Sequence, residues 1–269
     1  MRAEETSAGI LAGNILEVSG LSKTFGGVRA TDNVSFNVSA GAITALIGPN
    51  GAGKTTVFNL ITNIFPADGG NVTFLGNSIR GTTPMAVAGL GLIRTFQSAR
   101  VFPGLTVLEN VLAGGHRLMR SAGGSQMLWT PRSRAEEREL RSRAMAMLEL
   151  VGLAKFRDAH AVDLPMGAQK LLEVVRALMS KPKLLCLDEP AAGLNDTETD
   201  ELATLLRAIR AADIAVLVVE HNMSLVMNVA DHVVVLDAGT VIAAGTPSEV
   251  QSNAKVVEAY LGREENAAA

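Results

Sequence analysis

Four groups of residues in this chain have the types and spacing to do chemistry on a phosphate. The first is Gly48-Pro49-Asn50-Gly51-Ala52-Gly53-Lys54-Thr55-Thr56, which fits the P-loop pattern G-x-x-x-x-G-K-[ST]. Glycines let the backbone wrap closely around an anion, with successive N–H groups aimed inward at its oxygens. A helix starting at the end of the loop offers the positive end of its dipole to the same anion. Lys54 adds a point charge for the β- and γ-phosphates, and the Thr55 hydroxyl is placed for Mg²⁺. The second group is Asp188-Glu189, which closes the apolar run Leu184-Leu185-Cys186-Leu187 and is followed by Pro190. Two acids at the carboxyl end of a buried strand, in a chain with a P-loop, form the Walker B arrangement. Asp188 would hold Mg²⁺ through water, and Glu189 would face an attacking water.

The third and fourth, His221 and Gln97, are single residues, and Phe25 is a further candidate outside this phosphate set. His221 follows Glu220 at the end of another apolar run, Ile214-Ala215-Val216-Leu217-Val218-Val219. A lone histidine is ordinarily structural, but this one lies at a strand's carboxyl end, where open α/β sheets bind ligands. Gln97 ends the run Leu92-Ile93-Arg94-Thr95-Phe96, either as a ligand contact or as the start of a loop. Phe25, on the glycine-flanked turn Ser22-Lys23-Thr24-Phe25-Gly26-Gly27, either packs or stacks on a purine base.

The elements that must position these residues follow from periodicity. Ile43-Thr44-Ala45-Leu46-Ile47 is the strand entering the P-loop, and Val57-Phe58-Asn59-Leu60-Ile61 continues the helix leaving it. Ile15-Leu16-Glu17-Val18 reads as a first strand. Val34 to Ser39 and Asn71 to Gly76 alternate apolar and polar, as half-buried antiparallel strands do. A β-subdomain therefore leans on the nucleotide strand, with a short helix expected from Pro84 to Gly89. From Ser98 to about Leu164 strand signals vanish. Leu105 to Leu112 is apolar at helical spacing, and residues 133–150 form a long charge-laced helix striped by Leu140, Ala144, Met147 and Leu148. The charges of this helix read as a solvated face, or as arginines near anionic lipid headgroups; no role is read for the Arg-rich stretch 117–143 as a whole. Residues 98–165 thus read as an inserted helical subdomain. Leu164-Pro165-Met166-Gly167-Ala168-Gln169 opens a further helix, for which proline suits the start. Thr197 to Arg210 and Met223 to Val229 are helical, and Asp237-Ala238-Gly239-Thr240 signals a hairpin. The fold class expected is α/β: a RecA-like P-loop parallel-sheet core, an N-terminal antiparallel β-subdomain and the inserted helices. Residues 14–263 form one domain, with a C-terminal helical extension over 240–263 and flexible ends at 1–13 and 264–269.

Composition limits the alternatives. A chain of 269 residues that is 48% hydrophobic can build one large core or a core with a subdomain. A net charge of −3 gives no argument for nucleic-acid binding. The single cysteine, Cys186, excludes an internal disulfide and reads as a small buried hydrophobe. No apolar run reaches the roughly 18 residues that crossing a bilayer requires, and the N-terminus does not read as a secretory signal.

Taken in order, the Phe25 turn, the P-loop, Gln97, Leu164 to Gln169, Leu184 to Glu189, Ala191-Ala192-Gly193-Leu194-Asn195 and His221 resemble an ATP-binding-cassette ATPase. Ile93 to Gln97, the insertion through Trp129 to Arg143, Asp188 to Asn195, and Val257-Glu258-Ala259-Tyr260-Leu261-Gly262 narrow the resemblance. They look like the LivG-type ATPases of branched-chain amino acid importers; importers of urea or other polar nutrients look similar. The resemblance implies that Phe25 stacks on adenine and that residues 48–56 hold the phosphates of ATP. It implies that Thr55, Gln97 and Asp188 serve Mg²⁺, that Glu189 polarises the lytic water and that His221 contacts the γ-phosphate. It also implies a head-to-tail pair of cassettes, each nucleotide being completed in trans by the partner's signature, here Leu164, Met166, Gly167 and Gln169. Permease subunits, an external binding protein and a place at the cytoplasmic face of the membrane are implied with it. A regulator that binds ATP without hydrolysing it is one alternative, opposed by the presence of both Glu189 and His221; a cassette acting on ribosomes or DNA is another. Such chains usually carry two cassettes or a long coiled-coil insertion, and this one has neither.

The signature departs from the family pattern Leu-Ser-Gly-Gly-Gln. Pro165 stands at the serine position with neither hydroxyl nor N–H, Met166 follows it, and Asn195 replaces the usual aspartate. The expectation is an asymmetric pair: a competent P-loop site in this chain, a weaker site where it completes its partner's, and as that partner a different cassette or a second copy of this chain.

Overall fold

The computed structural model describes residues 13–95, 101–116 and 131–267. They fall into two compact units, one over Met1–Arg94, Lys183–Ala192 and Leu206–Ala269, the other over Thr95–Pro182 and Gly193–Leu205.

The first unit is built on two sheets. Three strands of the larger one are five residues long, mostly apolar and buried throughout: β3 (Ile43–Ile47), β7 (Leu184–Asp188) and β8 (Ala215–Val219). Continuous burial is what a strand covered on both faces requires, and parallel sheets provide it. With β6 (Leu92–Arg94), β9 (His232–Asp237) and β10 (Thr240–Gly245) they form a six-stranded sheet in the order β10-β9-β3-β8-β7-β6. All neighbours are parallel except β9 and β10, which form the expected hairpin. The register pairs Asp188 with Val219 and Leu46 with Val219. Gly48, Glu189 and Glu220 therefore leave the sheet along one edge, the carboxyl edge.

The smaller sheet is antiparallel, in the order β2-β1-β4-β5, from β1 (Asn14–Phe25), β2 (Val28–Ser39), β4 (Gly69–Phe74) and β5 (Asn77–Ser78). From Val34 to Ser39 burial alternates strictly, as the sequence pattern predicts. β1 differs from expectation. It runs well beyond Val18, and the turn predicted over Ser22 to Gly27 shrinks to Gly26-Gly27. A register shift between Val18 and Leu21, with Gly20 at φ 64°, breaks the alternation that marks a strand in sequence without ending its pairing. One apolar core joins both sheets to α1 (Lys54–Ile61): Leu16, Phe36 and Phe74 meet Leu46, Phe58 and Leu217. The unit also carries α2 (Pro84–Leu90), started by the Thr83 side chain, which accepts from Ala86 N.

The second unit is helical. It contains α3 (Val107–Gly114), α4 (Pro131–Leu150), α5 (Met166–Leu178) and the first part of α6 (Asp196–Ala211), whose remainder belongs to the first unit. α3 opens with a reciprocal capping box between Thr106 and Glu109. Its buried Asn110 accepts from Phe102 N at 2.7 Å and so fixes the preceding loop. Val107, Val111, Leu148, Leu172 and Val175 form this unit's own core.

The chain finishes in the first unit with α7 (Met223–Val229), α8 (Pro247–Gln251) and α9 (Ala254–Ala267). Among the described residues no helix is long and apolar enough to cross a membrane.

Candidate active site

The P-loop emerges from β3 at buried Ile47. Two of its glycines are required by space as well as by backbone angle. Gly48 lies against the Leu236 carbonyl so closely that a Cβ would collide with it. Gly53, at φ 99°, is the N-cap of α1, and a Cβ there would fall 2.5 Å from Ala30 O. The loop is wedged in place by the β9–β10 turn: Gly239 N donates to Ala52 O at 3.0 Å, and Asp32 N donates to Gly239 O at 2.8 Å. Lys54 is buried, and its Nζ donates to Gly48 O at 2.7 Å and to Pro49 O at 2.9 Å. The ammonium is thus folded back over the mouth of its own loop, its charge compensated by carbonyl dipoles.

In front of the loop is a cavity of about 430 Å³, lined by Asn50, Gly51, Ala52, Gly53, Lys54, Thr55 and Thr56, by Glu189, and by Val28, Arg29, Ala30, Ala238 and Gly239. A ring of backbone donors, a lysine and a helix N-terminus on one side, with a carboxylate on another, can hold an anion opposite a group able to accept a proton.

Glu189 sits at φ 48°, in the left-handed region that a non-glycine residue rarely adopts, at a cost of about 1–2 kcal/mol. Strain of this sort persists only where the surroundings enforce it. Here Glu189 N donates to Val219 O at 2.9 Å and Ala192 N to Glu189 O at 3.2 Å. His221, with its side chain 57% exposed, brings Nδ1 to 3.8 Å from Glu189 Oε2. The predicted acid and histidine are therefore neighbours.

Asp188 is 3% exposed; its Oδ2 accepts from Arg94 at 2.7 Å, and its buried Oδ1 has no hydrogen-bond partner. An orphaned carboxylate oxygen is the kind of ligand a hard divalent cation takes, and a carboxylate and a hydroxyl such as that of Thr55 are oxygen ligands of the type Mg²⁺ accepts. Mg²⁺ commonly draws its remaining ligands from water and substrate phosphates. The absence, among the described residues, of any cluster of three or more His, Cys, Asp or Glu able to hold a metal is in keeping with that. Gln97 lies outside the described residues.

Phe25 does not line the cavity. It is 42% exposed at the end of β1, packed edge-on against Phe65 at a centroid distance of 5.8 Å, with Lys23 Nζ 5.5 Å from its ring centre. The segments nearest the loop on this side are Val28, Arg29 and Ala30 at the start of β2.

The remaining predicted site residues belong to the helical unit. Pro165 is the N-cap of α5 and gives no side-chain cap; Met166 is 62% exposed and Leu164 is buried. Gln169 turns back, its Nε2 donating to Leu164 O at 2.8 Å. Gly167 lies beneath the Glu198 carboxylate, where a Cβ would come 2.5 Å from Cδ. Asn195 caps α6: its Oδ1 accepts from Glu198 N, and its own N–H donates to Glu198 Oε2, both at 3.0 Å.

Three participants have no role in the sequence reading. Glu220 is fully buried, and its carboxylate accepts from Ala191 N at 2.6 Å, His221 N at 3.1 Å and Asn222 N at 3.2 Å. Burial pushes its carboxyl up from the ordinary glutamate value, while these three amides pull it down. The signal for Glu220 was an acid closing a wholly apolar strand, masked by the histidine beside it. Arg94, a guanidinium inside a β-run, carried a similar signal. The third, Ala238-Gly239, was legible as a turn but not as a wall of the cavity.

A parallel sheet with a P-loop leaving a central strand, and an acid pair at the carboxyl end of the next strand but one, defines a P-loop nucleotide-hydrolysing protein. A family model described as "ABC transporter" matches residues 31–192, more than half of the chain. The chain belongs to this family of ATP-binding-cassette ATPases, whose activity is ATP hydrolysis. A second model, "Branched-chain amino acid ATP-binding cassette transporter", matches residues 240–266. The chain is 43% identical to the high-affinity branched-chain amino acid transport ATP-binding protein BraF of Pseudomonas aeruginosa, over 92% of this chain and 98% of that one. To the Escherichia coli protein LivG, of the same description, it is 40% identical over the same shares. Among solved structures it resembles the ADP conformation of an ATP-binding cassette of an ABC transporter, with a TM-score of 0.79 and 34% identity, covering 93% of this chain and 99% of that one.

Proposed function

We propose that this chain is the ATP-hydrolysing subunit of a branched-chain amino acid importer, acting from the cytoplasmic face of the membrane on permease subunits fed by an external binding protein. The observation that carries the substrate class is the match of residues 240–266 to the branched-chain amino acid model. That segment is β10 with α8 and α9. It lies close to the nucleotide strand, since Tyr260 and Val256 line one cavity with Ile47, the last residue of β3.

In this reading the P-loop amides and Lys54 bind the β- and γ-phosphates. Thr55, Gln97 and Asp188 would hold Mg²⁺, which would neutralise phosphate charge when bound. Glu189, aimed by its left-handed backbone, orients and polarises the attacking water. His221 contacts the γ-phosphate, with Glu189 beside it to fix its ring. Phe25 flanks the adenine after turning from Phe65. A second cassette, different from this one, closes over the nucleotide, and this chain lends its own signature to that partner's site. Residues 14–263 work as one nucleotide-binding domain.

The experiment is uptake into proteoliposomes carrying this chain, its permeases and its partner cassette. Glu189→Gln is expected to trap an ATP-bound pair and stop leucine uptake. Leucine uptake that continues at the normal rate with no trapped pair removes the assignment of Glu189. Uptake of urea but not of leucine, isoleucine or valine by the unmodified complex removes the substrate class.

A further inference from the structure

Arg94 ends β6, opposite Cys186 on the adjacent β7. Its guanidinium is only 12% exposed and is held from three directions. One terminal nitrogen donates to Asn59 Oδ1 at 2.6 Å and Thr62 Oγ1 at 3.3 Å, both on or just after α1. The other donates to Asp188 Oδ2 at 2.7 Å. The cation also lies over the Phe58 ring, 5.4 Å from its centre.

An arginine facing a carboxylate usually grips both oxygens with its fork. Here the fork is split. Asn59 takes one prong and leaves Asp188 a single-point grip. The result is a buried carboxylate with one oxygen fixed and the other, Oδ1, without a hydrogen-bond partner. A pair serving stability alone would close that oxygen, because a buried acceptor left open is costly.

We propose that Arg94 is a positioning residue for the metal-binding carboxylate: with Asn59 dividing its fork, it fixes Asp188 by Oδ2 and presents Oδ1 to Mg²⁺. This rests on the assignment of Asp188 to the metal. Arg94 thereby also ties the acid strand to the helix that opens with Lys54 and Thr55. The carboxylate and the Thr55 hydroxyl are then held on one rigid frame.

The test measures the affinity of the full-length chain for a fluorescent ATP analogue, with Mg²⁺ and with a chelator. The ratio of the two affinities is the Mg²⁺ advantage. Arg94→Gln is expected to lower that advantage about tenfold with little change in the chelated affinity, and Arg94→Lys, a single-point donor, to recover part of it. Asn59→Ala keeps the Arg94–Asp188 pair but leaves the second prong only its longer, 3.3 Å hydrogen bond to Thr62 Oγ1, so that it can turn to close Oδ1, and it too is expected to lower the advantage. A stabilising ion pair alone predicts no such loss in Asn59→Ala, and that variant decides the matter if Arg94→Gln does not fold. An unchanged or raised advantage in folded Arg94→Gln overturns the proposal, the raised value meaning that Arg94 competes with the metal. Asp188→Asn separates the two readings. If it keeps the full Mg²⁺ advantage, the metal role of Asp188 falls; if it loses the advantage while the Arg94 and Asn59 variants keep theirs, only the role of Arg94 falls.

Discussion

The N-termini of α1 and α5 are the two helix starts of this chain expected to meet phosphate, and they are built on opposite plans. At α1 a left-handed glycine caps the helix with no side chain, and the cavity opens directly onto the loop. The backbone donors there are unobstructed by any Cβ. At α5 the capping position is a proline with no N–H, the next glycine is roofed by the Glu198 carboxylate, and Gln169 spends its amide on the carbonyl of Leu164. Asn195, on the loop that would contact nucleotide in the family, caps α6 with its side chain. The first start faces an open cavity, with the Lys54 ammonium turned onto the carbonyls of Gly48 and Pro49; the second is filled by its own neighbours. A glycine-bearing helix start reads as a phosphate site only where the space in front of it is left open.

The comparison breaks most readily at the first site. Lys54→Ala should abolish hydrolysis, by about a hundredfold or more if the lysine is worth what a buried oxyanion donor is worth, as read by steady-state phosphate release. Binding and turnover near normal would mean that the ammonium serves only the carbonyls of Gly48 and Pro49. Pro165→Ser tests the second site. It restores a hydroxyl and an N–H, and the ATPase rate of the assembled transporter should rise by up to about tenfold, part of the 2–4 kcal/mol a single donor can contribute. No change in rate removes the asymmetry. A pair of glycine variants sharpens the contrast by stability alone. Gly167→Ala must push the Glu198 side chain aside and should cost about 1–3 kcal/mol in urea unfolding. Gly51→Ala meets no atom within 4 Å, and only its φ of 81° opposes it, at about 1–2 kcal/mol. The smallest effect is expected at Cys186, two residues before Asp188. Burial pushes its thiol up to about 12, so at pH 8 the thiolate that reacts is absent. A disulfide reagent should label it only after unfolding, at the same negligible native rate in the wild type and in Lys54→Ala.

The sequence made visible the features that depend on chain-local pattern. The apolar runs of β3, β7 and β8, the loop between β3 and α1, the acid pair and the β9–β10 turn all lie where periodicity and turn chemistry place them. Features that depend on which strands become neighbours were not visible. β6 pairs with β7 across a separation of some ninety residues, and only that pairing brings Arg94 to Asp188. The contact of Glu220 with Ala191 likewise joins the ends of two strands. β1 was underestimated because its bulge at Gly20 resets the alternation partway along. Phe25 was legible as an exposed aromatic on a turn; its packing against Phe65, forty residues on, was not.

Because one carboxylate, that of Glu220, is fastened to the amides of both Ala191 and His221, the segment after Pro190 and the segment carrying the histidine are yoked together. A displacement of either segment strains the hydrogen bonds that hold it to the other, so the turn carrying the imidazole and the chain beyond the acid pair are linked through a single buried side chain.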